Sequence, residues 1–195
     1  GYVCDEPRIE FYRHMDAANV DLKAFTERFY KYVTGGQLQP VLETLLHLKQ
    51  ETSVWFEITN LLIPDENDSE KEIDAMSKWI MTNLGPDVPL HFTAFHPDWK
   101  MRDKANTAPA VLTRSRNIAR ANGLHYVYTG NVHDVAGGST ICHNCGEILI
   151  ARDWYVLGNW QLRDGKCAKC QTVCAGVFES HAGSWGAKRL PVKLS

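Results

Sequence analysis

The chain has 195 residues, a formal net charge of −2 and a pI near 6.5, so it lacks the basic excess that binding to nucleic acid or to anionic lipid uses. Hydrophobic residues at 44% and charged residues at 23% exclude a disordered or fibrous chain. No apolar run approaches the roughly 18 residues of a membrane span. We therefore predict a cytoplasmic protein that binds neither nucleic acid nor membrane.

Hydrophobic periodicity and breaker residues divide the chain before residue 131 into alternating helices and strands. The predicted elements, in chain order, are a helix from Asp5 to about His14, a strand in ANVDLKAF, helices in TERFYKYVTGG and PVLETLLHLKQ, a strand in SVWFEITNLLI, a helix from Ser69, a strand in PLHFTAFHPDW, a helix in TAPAVLTRSRNIARANG and a strand in LHYVYTGN. Such alternation predicts βα units around a parallel sheet, and hence an α/β fold for residues 1–130.

Helical periodicity stops after the glycine-rich loop TGNVHDVAGGST. Residues 131–195 are therefore predicted to form a separate small module. A module of this size buries little core area, so it usually needs a disulfide or a metal ion for stability. Its cysteines follow the pattern C-x2-C-x21-C-x2-C, in which two tight turns can present four thiolates to one ion. We predict a structural zinc ion held by Cys142, Cys145, Cys167 and Cys170.

The residue after each cysteine pair differs between the two predicted turns. Gly146 follows the first pair, and glycine can adopt a positive φ without strain, whereas Gln171 follows the second pair. The second turn is therefore predicted to be the weaker half of the site. The residues between the pairs, EILIARDWYVLGNWQLRDG, are predicted to form a hairpin or a meander.

Other cysteine chemistry stays open at this point. The run CAKCQTVC, which ends at Cys174, is also compatible with an iron–sulfur cluster, and a CxxC pair can serve as a redox dithiol. The simpler interpretation of Cys4 and Cys174 is that each is a small buried hydrophobic residue. For His133 and His143 we expect surface positions or places beside the metal ligands, not coordination.

Several segments taken together resemble a known family. NVDLKAFTERFYKYVTGG, WFEITNLLIPDENDS, HFTAFHPDWKM and YTGNVHD…GGSTICHNCGEILIARDWYV resemble the activating-enzyme branch of the radical S-adenosylmethionine (SAM) superfamily, typified by pyruvate formate-lyase activating enzyme. Within that branch they are most similar to the AmmeMemoRadiSam system radical SAM enzyme. The resemblance covers nearly the whole chain. It implies the C-terminal part of a partial (β/α) barrel in residues 1–130 and a zinc-ribbon-like module in residues 131–195.

The resemblance also implies cofactor contacts. Asp21 and Lys23 match an Asp-x-Lys motif that touches the methionine end of SAM, and His96 matches a histidine beside its nucleoside. Glu57 matches a position that faces the barrel interior and carries Arg in some relatives, so it is a candidate contact whose role stays open. Without the resemblance, Asp21 and Lys23 are as well explained by a surface ion pair, and His96 by a loop histidine.

The functional expectation follows from this resemblance and from one departure. The sequence contains no CxxxCxxC, the loop whose thiolates hold the [4Fe–4S] cluster in this superfamily. We expect the C-terminal portion of a radical SAM enzyme that cleaves SAM reductively and abstracts hydrogen from an unknown substrate, for which a protein is one candidate. The chain alone is expected to be inactive, and no catalytic residue is assigned.

Two other functions are weighed beside this one. The first is a zinc-ribbon-containing module that binds a protein partner through its tryptophans, Trp154, Trp160 and Trp185, although in a small module such residues more often form the core. The second is a hydrolase with a catalytic metal among His91, His96 and His133. The sequence lacks HExxH or a comparable spacing, which disfavours the hydrolase.

Overall fold

The computed structural model describes residues 1–183. The chain divides into two compact units, a first unit of residues Gly1–Val132 and a second unit that starts at His133. Within the part of the chain that the structure describes, no helix has both the length and the apolar character that crossing a membrane requires.

The first unit alternates helices and strands as its periodicity predicts. Its elements are α1 (Asp5–Tyr12), β1 (Ala17–Asp21), α2 (Glu27–Phe29), a π-helical turn (Tyr30–Thr34), α3 (Gln39–Glu51), β2 (Trp55–Leu62), α4 (Glu70–Leu84), β3 (Leu90–Ala94), α5 (Pro109–Ala121) and β4 (Val127–Gly130). Two predicted helix boundaries have a clear local cause. The Ser69 side chain accepts a hydrogen bond from the Glu72 amide at the start of α4, and Gly35 ends the π-helical turn with a φ of 71°.

The four strands form one parallel sheet in the order β1-β2-β3-β4. Because crossovers between parallel strands are right-handed, this consecutive order places the connecting helices on the same face of the sheet. A doubly wound sheet would instead reverse its strand order and carry helices on both faces. The arrangement is that of an arc of a (β/α) barrel, and the predicted α/β class is confirmed.

The core lies between the sheet and its helices. Along β2, half-buried and buried residues alternate over the whole strand, so one face is consistently covered. Fully buried strand residues such as Ile58 and Phe92 join one hydrophobic cluster with Leu45 of α3, Ile80 of α4 and Leu112 of α5. Each large side chain buried in this way contributes roughly 1.5–3 kcal/mol.

Thr107 has a different role from the helix start that was predicted for it. Helix α5 begins at Pro109 after Ala108, with no side-chain cap. The buried Thr107 hydroxyl donates to the Leu62 carbonyl oxygen at 2.6 Å and accepts from the Phe95 amide at 2.9 Å. Thr107 therefore fastens the loop after β3 to the end of β2.

The opposite face of the sheet is mostly polar. An all-parallel sheet usually has both faces buried under apolar residues. Here the half-buried and exposed strand positions that face away from the core include Asn19, Asp21, Glu57, Thr59, His91, Thr93 and Tyr128. A polar face of this kind is typical of a barrel interior that receives a ligand.

The second unit is built from short antiparallel strands. After a helical turn, α6 (Val135–Gly138), strands β5 (Thr140–Ile141), β6 (Ile148–Asp153) and β7 (Val156–Trp160) form one sheet, and β8 (Leu162–Arg163) pairs with β9 (Lys166–Cys167). This confirms the predicted meander. The buried aliphatic residues of its described part are Leu149, Ile150 and Leu162, which make a small core.

The two tryptophans in the described part of the second unit do not form the core that was expected. Trp154 lies in the turn between β6 and β7 and is 52% exposed, and Trp160 at the end of β7 is half-buried. Trp185 lies outside the described residues.

Candidate functional site

The two cysteine pairs of the second unit sit in matching turns. The Gly146 amide donates to the Cys142 carbonyl oxygen and the Gln171 amide to the Cys167 carbonyl oxygen, each at 2.9 Å. Gly146 has a φ of 76° and Gln171 a φ of 62°, so both residues are in the left-handed region. This conformation costs a non-glycine residue roughly 1–2 kcal/mol. Gln171 thus adopts the same left-handed backbone conformation as Gly146, at a cost in conformational free energy that the glycine avoids.

The four sulfur atoms converge on one point. All four Sγ atoms lie within 4.8 Å of one another, with Cys142 and Cys170 3.6 Å apart and Cys145 and Cys167 3.7 Å apart. Four sulfurs around one tetrahedral ion at a bond length of 2.3 Å lie about 3.8 Å from each other. The cysteines therefore could hold one metal ion. Because protein would fill all four positions, such a site is closed to substrate.

The electrostatics of the four thiols favour a cation. Hydrogen bonds from the Thr172 hydroxyl, 3.2 Å from the Cys170 sulfur, and from the Thr172 amide lower the pKa of Cys170 to about 5. The Glu147 amide favours the Cys145 thiolate, but desolvation and the three neighbouring sulfurs outweigh it and raise the pKa of Cys145 to about 12. Four thiolates cannot coexist at this spacing without positive charge, which a divalent ion would supply.

The other cysteines and the nearby histidines stand apart from this group. Cys174 is 4% exposed and packs as a small buried residue, as predicted. The prediction for Cys4 is wrong, since Cys4 precedes α1 at an exposed position. His133 lies 3.0 Å from Asp153 and is 81% exposed, and His143 is exposed within the first turn. Neither histidine belongs to the metal-capable group.

In the first unit, the predicted pair lies at the carboxyl end of β1. Asp21 is the last residue of the strand, and Lys23 follows two positions later. The Lys23 Nζ and Asp21 Oδ1 atoms are 2.7 Å apart, with the two side chains 35% and 51% exposed respectively. The structure brings Asp21 and Lys23 together as an accessible ion pair.

Asp21 belongs to a row that crosses the sheet. The strand register places Thr59, His91 and Tyr128 beside it, one residue from each strand. The His91 and Tyr128 rings are stacked with centroids 4.9 Å apart. The sequence alone did not single out Tyr128, because its place in the row depends on the strand register.

Glu57 lies one row closer to the amino ends of the strands, beside Asn19. Its Oε2 atom is 2.6 Å from His91 Nε2, and the Trp55 indole donates to its Oε1 atom at 3.3 Å. Glu57 is therefore linked to the row through His91. His96 lies beyond the end of β3 and is exposed in the loop that follows.

Comparison with known proteins yields one informative sequence relative. No protein-family model matches the chain. An uncharacterized protein of Methanocaldococcus jannaschii is 41% identical over 152 residues, which is 78% of this chain and 44% of that protein. The chain thus spans less than half the length of this curated relative.

A solved structure clarifies the fold. The crystal structure of a domain of a pyruvate-formate lyase-activating enzyme from Bacteroides vulgatus superimposes with a TM-score of 0.57 at 17% identity, over 66% of this chain and 75% of that one. The two share a fold. At this identity the likeness establishes the mixed α/β architecture with its parallel sheet, and no more than that.

Proposed function

We propose that the chain is the C-terminal portion of a radical SAM enzyme of the activating-enzyme kind. The observation that carries the proposal is the Asp21–Lys23 pair, which lies at the carboxyl edge of a sheet whose fold matches a pyruvate-formate lyase-activating enzyme domain. Ligands of parallel βα folds bind at that edge. The residues YTGNVHD and GGSTICHNCGEILIARDWYV further favour the AmmeMemoRadiSam branch.

The residues at the edge fit the methionine end of SAM. That end carries an ammonium and a carboxylate, and the Lys23 ammonium and the Asp21 carboxylate offer the complementary charges at one accessible place. His96, exposed in the loop after β3, would lie beside the nucleoside, and Glu57 would act from the barrel interior through His91. Bound SAM would supply the chemistry in the whole enzyme: an electron from the iron–sulfur cluster would cleave it reductively, and its adenosyl fragment would take a hydrogen atom from the substrate.

The residues of this chain do not fit the [4Fe–4S] cluster. The sequence has no CxxxCxxC, and the four converging cysteines are spaced for one ion, whereas a cluster distributes its thiolates over several irons. We therefore assign no cluster contact to this chain and expect it to be inactive alone. The cluster ligands would come from residues that precede it.

For the second unit we propose a structural zinc ion at Cys142, Cys145, Cys167 and Cys170. The support is the sulfur spacing and the closed set of four thiolates. Paired CxxC cysteines serve as metal ligands more often in reducing compartments, so we propose a cytoplasmic location. A protein remains the candidate substrate, and we propose no nucleic-acid or membrane partner.

Two versions of the protein test this proposal, this chain and its full reading frame, both purified anaerobically. We expect zinc without iron in the 195-residue chain, and zinc, iron and formation of 5′-deoxyadenosine in the longer protein. Absence of iron and of 5′-deoxyadenosine from the longer protein would refute the proposal.

A substitution at the ion pair then tests the assigned contact. Lys23→Met is expected to weaken SAM binding by the longer protein roughly tenfold or more, because a charge-assisted hydrogen bond contributes about 1.5–3 kcal/mol. Lys78→Met is the matched control, since Lys78 forms an ion pair of the same 2.7 Å length with Asp74 on the surface of α4. Equal affinities of the two variants, measured by calorimetry, would exclude Lys23 from the site.

A second candidate function is favoured by the tip of the β6–β7 hairpin. Trp154, Tyr155 and Val156 are 52%, 62% and 67% exposed, and Trp154 adopts a φ of 56°, unusual for an aromatic residue. Exposed aromatic residues are typical anchors of protein interfaces. The second unit would then bind a protein partner, and Trp154→Ala should abolish pull-down of that partner while leaving the metal content unchanged.

A further inference from the structure

The backbone that carries Lys23 leaves the sheet in an unusual way. The Leu22 amide still donates to the Thr59 carbonyl oxygen at 3.0 Å, as in a strand ladder. Beyond that bond, the backbone groups of the loop are hydrogen-bonded by side chains from other elements instead of by a neighbouring strand.

Asn60 supplies the first of these bonds. It is 1% exposed, within β2, at a core-facing position between Ile58 and Leu62. Its Nδ2 atom donates to the Leu22 carbonyl oxygen at 2.7 Å and to the Lys23 carbonyl oxygen at 3.1 Å. Its Oδ1 atom is buried without a hydrogen-bond partner. An unpartnered buried oxygen is costly, so stability alone does not explain an asparagine in this core.

Asn67 also donates to the Lys23 carbonyl oxygen. It is 1% exposed in the loop between β2 and α4. Its Nδ2 atom donates to the Lys23 carbonyl oxygen and to the Leu61 carbonyl oxygen, while its Oδ1 atom accepts from the Ile63 amide at 2.7 Å. Two buried carboxamides thus converge on one backbone oxygen, that of Lys23.

Two backbone amides of the loop are also hydrogen-bonded to side chains. The Lys23 amide donates to the hydroxyl oxygen of Tyr30 at 3.1 Å, and the Phe25 amide donates to Glu72 Oε1 at 2.7 Å. Tyr30 is 3% exposed, and burial raises its pKa to about 12, so it is a neutral phenol at physiological pH. Both backbone groups of Lys23 are bonded by side chains, so its side chain, which pairs with Asp21, is the part of the residue that can turn toward a ligand.

We infer that Asn60 and Asn67 are positioning residues that aim Lys23 at the carboxylate of SAM. The inference rests on the proposed function, because it names what holds the assigned contact in place. A backbone fixed before binding loses less conformational freedom when the ligand arrives. The unpartnered oxygen of Asn60 is the cost of that arrangement.

Asn67→Asp tests the inference with little change of shape. The aspartate keeps an acceptor for the Ile63 amide but replaces the donor that faces the Lys23 carbonyl oxygen. Asn83→Asp is the matched control, because Asn83 Nδ2 donates to the Trp79 carbonyl oxygen at 2.8 Å within α4, away from this loop. Asn60→Leu, which is similar in size and apolar, is a second variant if Asn67→Asp fails to fold.

Two measurements are made on each variant. Amide hydrogen exchange in the 195-residue chain is expected to quicken about 5- to 10-fold for Lys23 and Ala24, and SAM affinity in the longer protein to weaken by a similar factor, because each variant loses its hydrogen bond to the Lys23 carbonyl oxygen. Asn83→Asp should change neither. A purely structural role would instead raise exchange throughout the first unit and leave the affinity of the folded fraction unchanged.

The outcomes separate this inference from the proposed function. If Lys23→Met weakens SAM binding but Asn67→Asp and Asn60→Leu do not, the positioning role is wrong and the proposed function stands. If Lys23→Met leaves SAM binding unchanged, the proposed contact is wrong, and this inference falls with it.

Discussion

Replacement of Cys145 by serine should cost the second unit most of its stability, because the metal ion would contribute more than the core. The buried aliphatic residues of its described part, Leu149, Ile150 and Leu162, together contribute about 5–9 kcal/mol. Structural zinc contributes roughly 10–16 kcal/mol at neutral pH in zinc-finger peptides. Cys145 Sγ lies 3.7 Å from Cys167 Sγ, so loss of one thiolate breaks the four-sulfur shell.

Metal analysis and cobalt substitution measure this loss. The unaltered chain is expected to bind about one equivalent of zinc and to show the thiolate charge-transfer and tetrahedral bands of cobalt when the metal is exchanged. Cys145→Ser should retain less than about one-tenth of an equivalent. Cys174→Ala is the control, because Cys174 is a buried cysteine outside the group.

Two results would refute this reasoning. One is a full equivalent of zinc with an unchanged cobalt spectrum in Cys145→Ser. The other is an equal loss of metal in Cys174→Ala, which would mean that the ligand set differs from the four converging sulfurs. Amide exchange in the first unit should be the same in both variants.

Two further predictions concern the left-handed turn and the buried phenol. Gln171→Gly should raise the free energy of unfolding of the second unit by roughly 1 kcal/mol in denaturant titrations, because it relieves strain at a positive φ. Gly146→Ala should lower it by a similar amount, because it introduces that strain. Free energies of unfolding equal to that of the unaltered chain would contradict this. Because burial raises the pKa of Tyr30 from 10.0 to about 12, the folded chain keeps a proton that the unfolded chain loses. The free energy of unfolding should therefore fall as the pH rises from 10 to 12, and a fall of the same size in Tyr30→Phe would rule out this cause.

Local pattern was sufficient for much of the fold. The alternation of helices and strands, the start of α4 after Ser69 and the meander of the second unit all depend on neighbouring residues, so their signals are present in short windows of sequence. The cysteine spacing likewise predicts convergence, since a CxxC pair fixes two sulfurs within one turn.

Features that depend on contacts between distant segments were not predictable. The Glu57–His91 pair spans 34 positions and requires the register of β2 against β3. From the sequence, Asn60 is a polar residue in an otherwise apolar strand. Its hydrogen bond to the Leu22 carbonyl oxygen becomes visible only when the end of β1 is placed beside β2. Cys4 was expected to be buried from its residue type, yet its surroundings leave it exposed.

The accessibility of the Asp21–Lys23 pair has a consequence for ligand selection. An exposed ion pair contributes at most about 1 kcal/mol in water, so it opens at little cost. A molecule that covers the edge of the sheet lowers the local dielectric constant, and the same two charges then attract each other several times more strongly. A neutral ligand would therefore strengthen the Asp21–Lys23 pair, whereas a zwitterion would replace both partners at once. This edge of the sheet would then select ligands by their charge distribution.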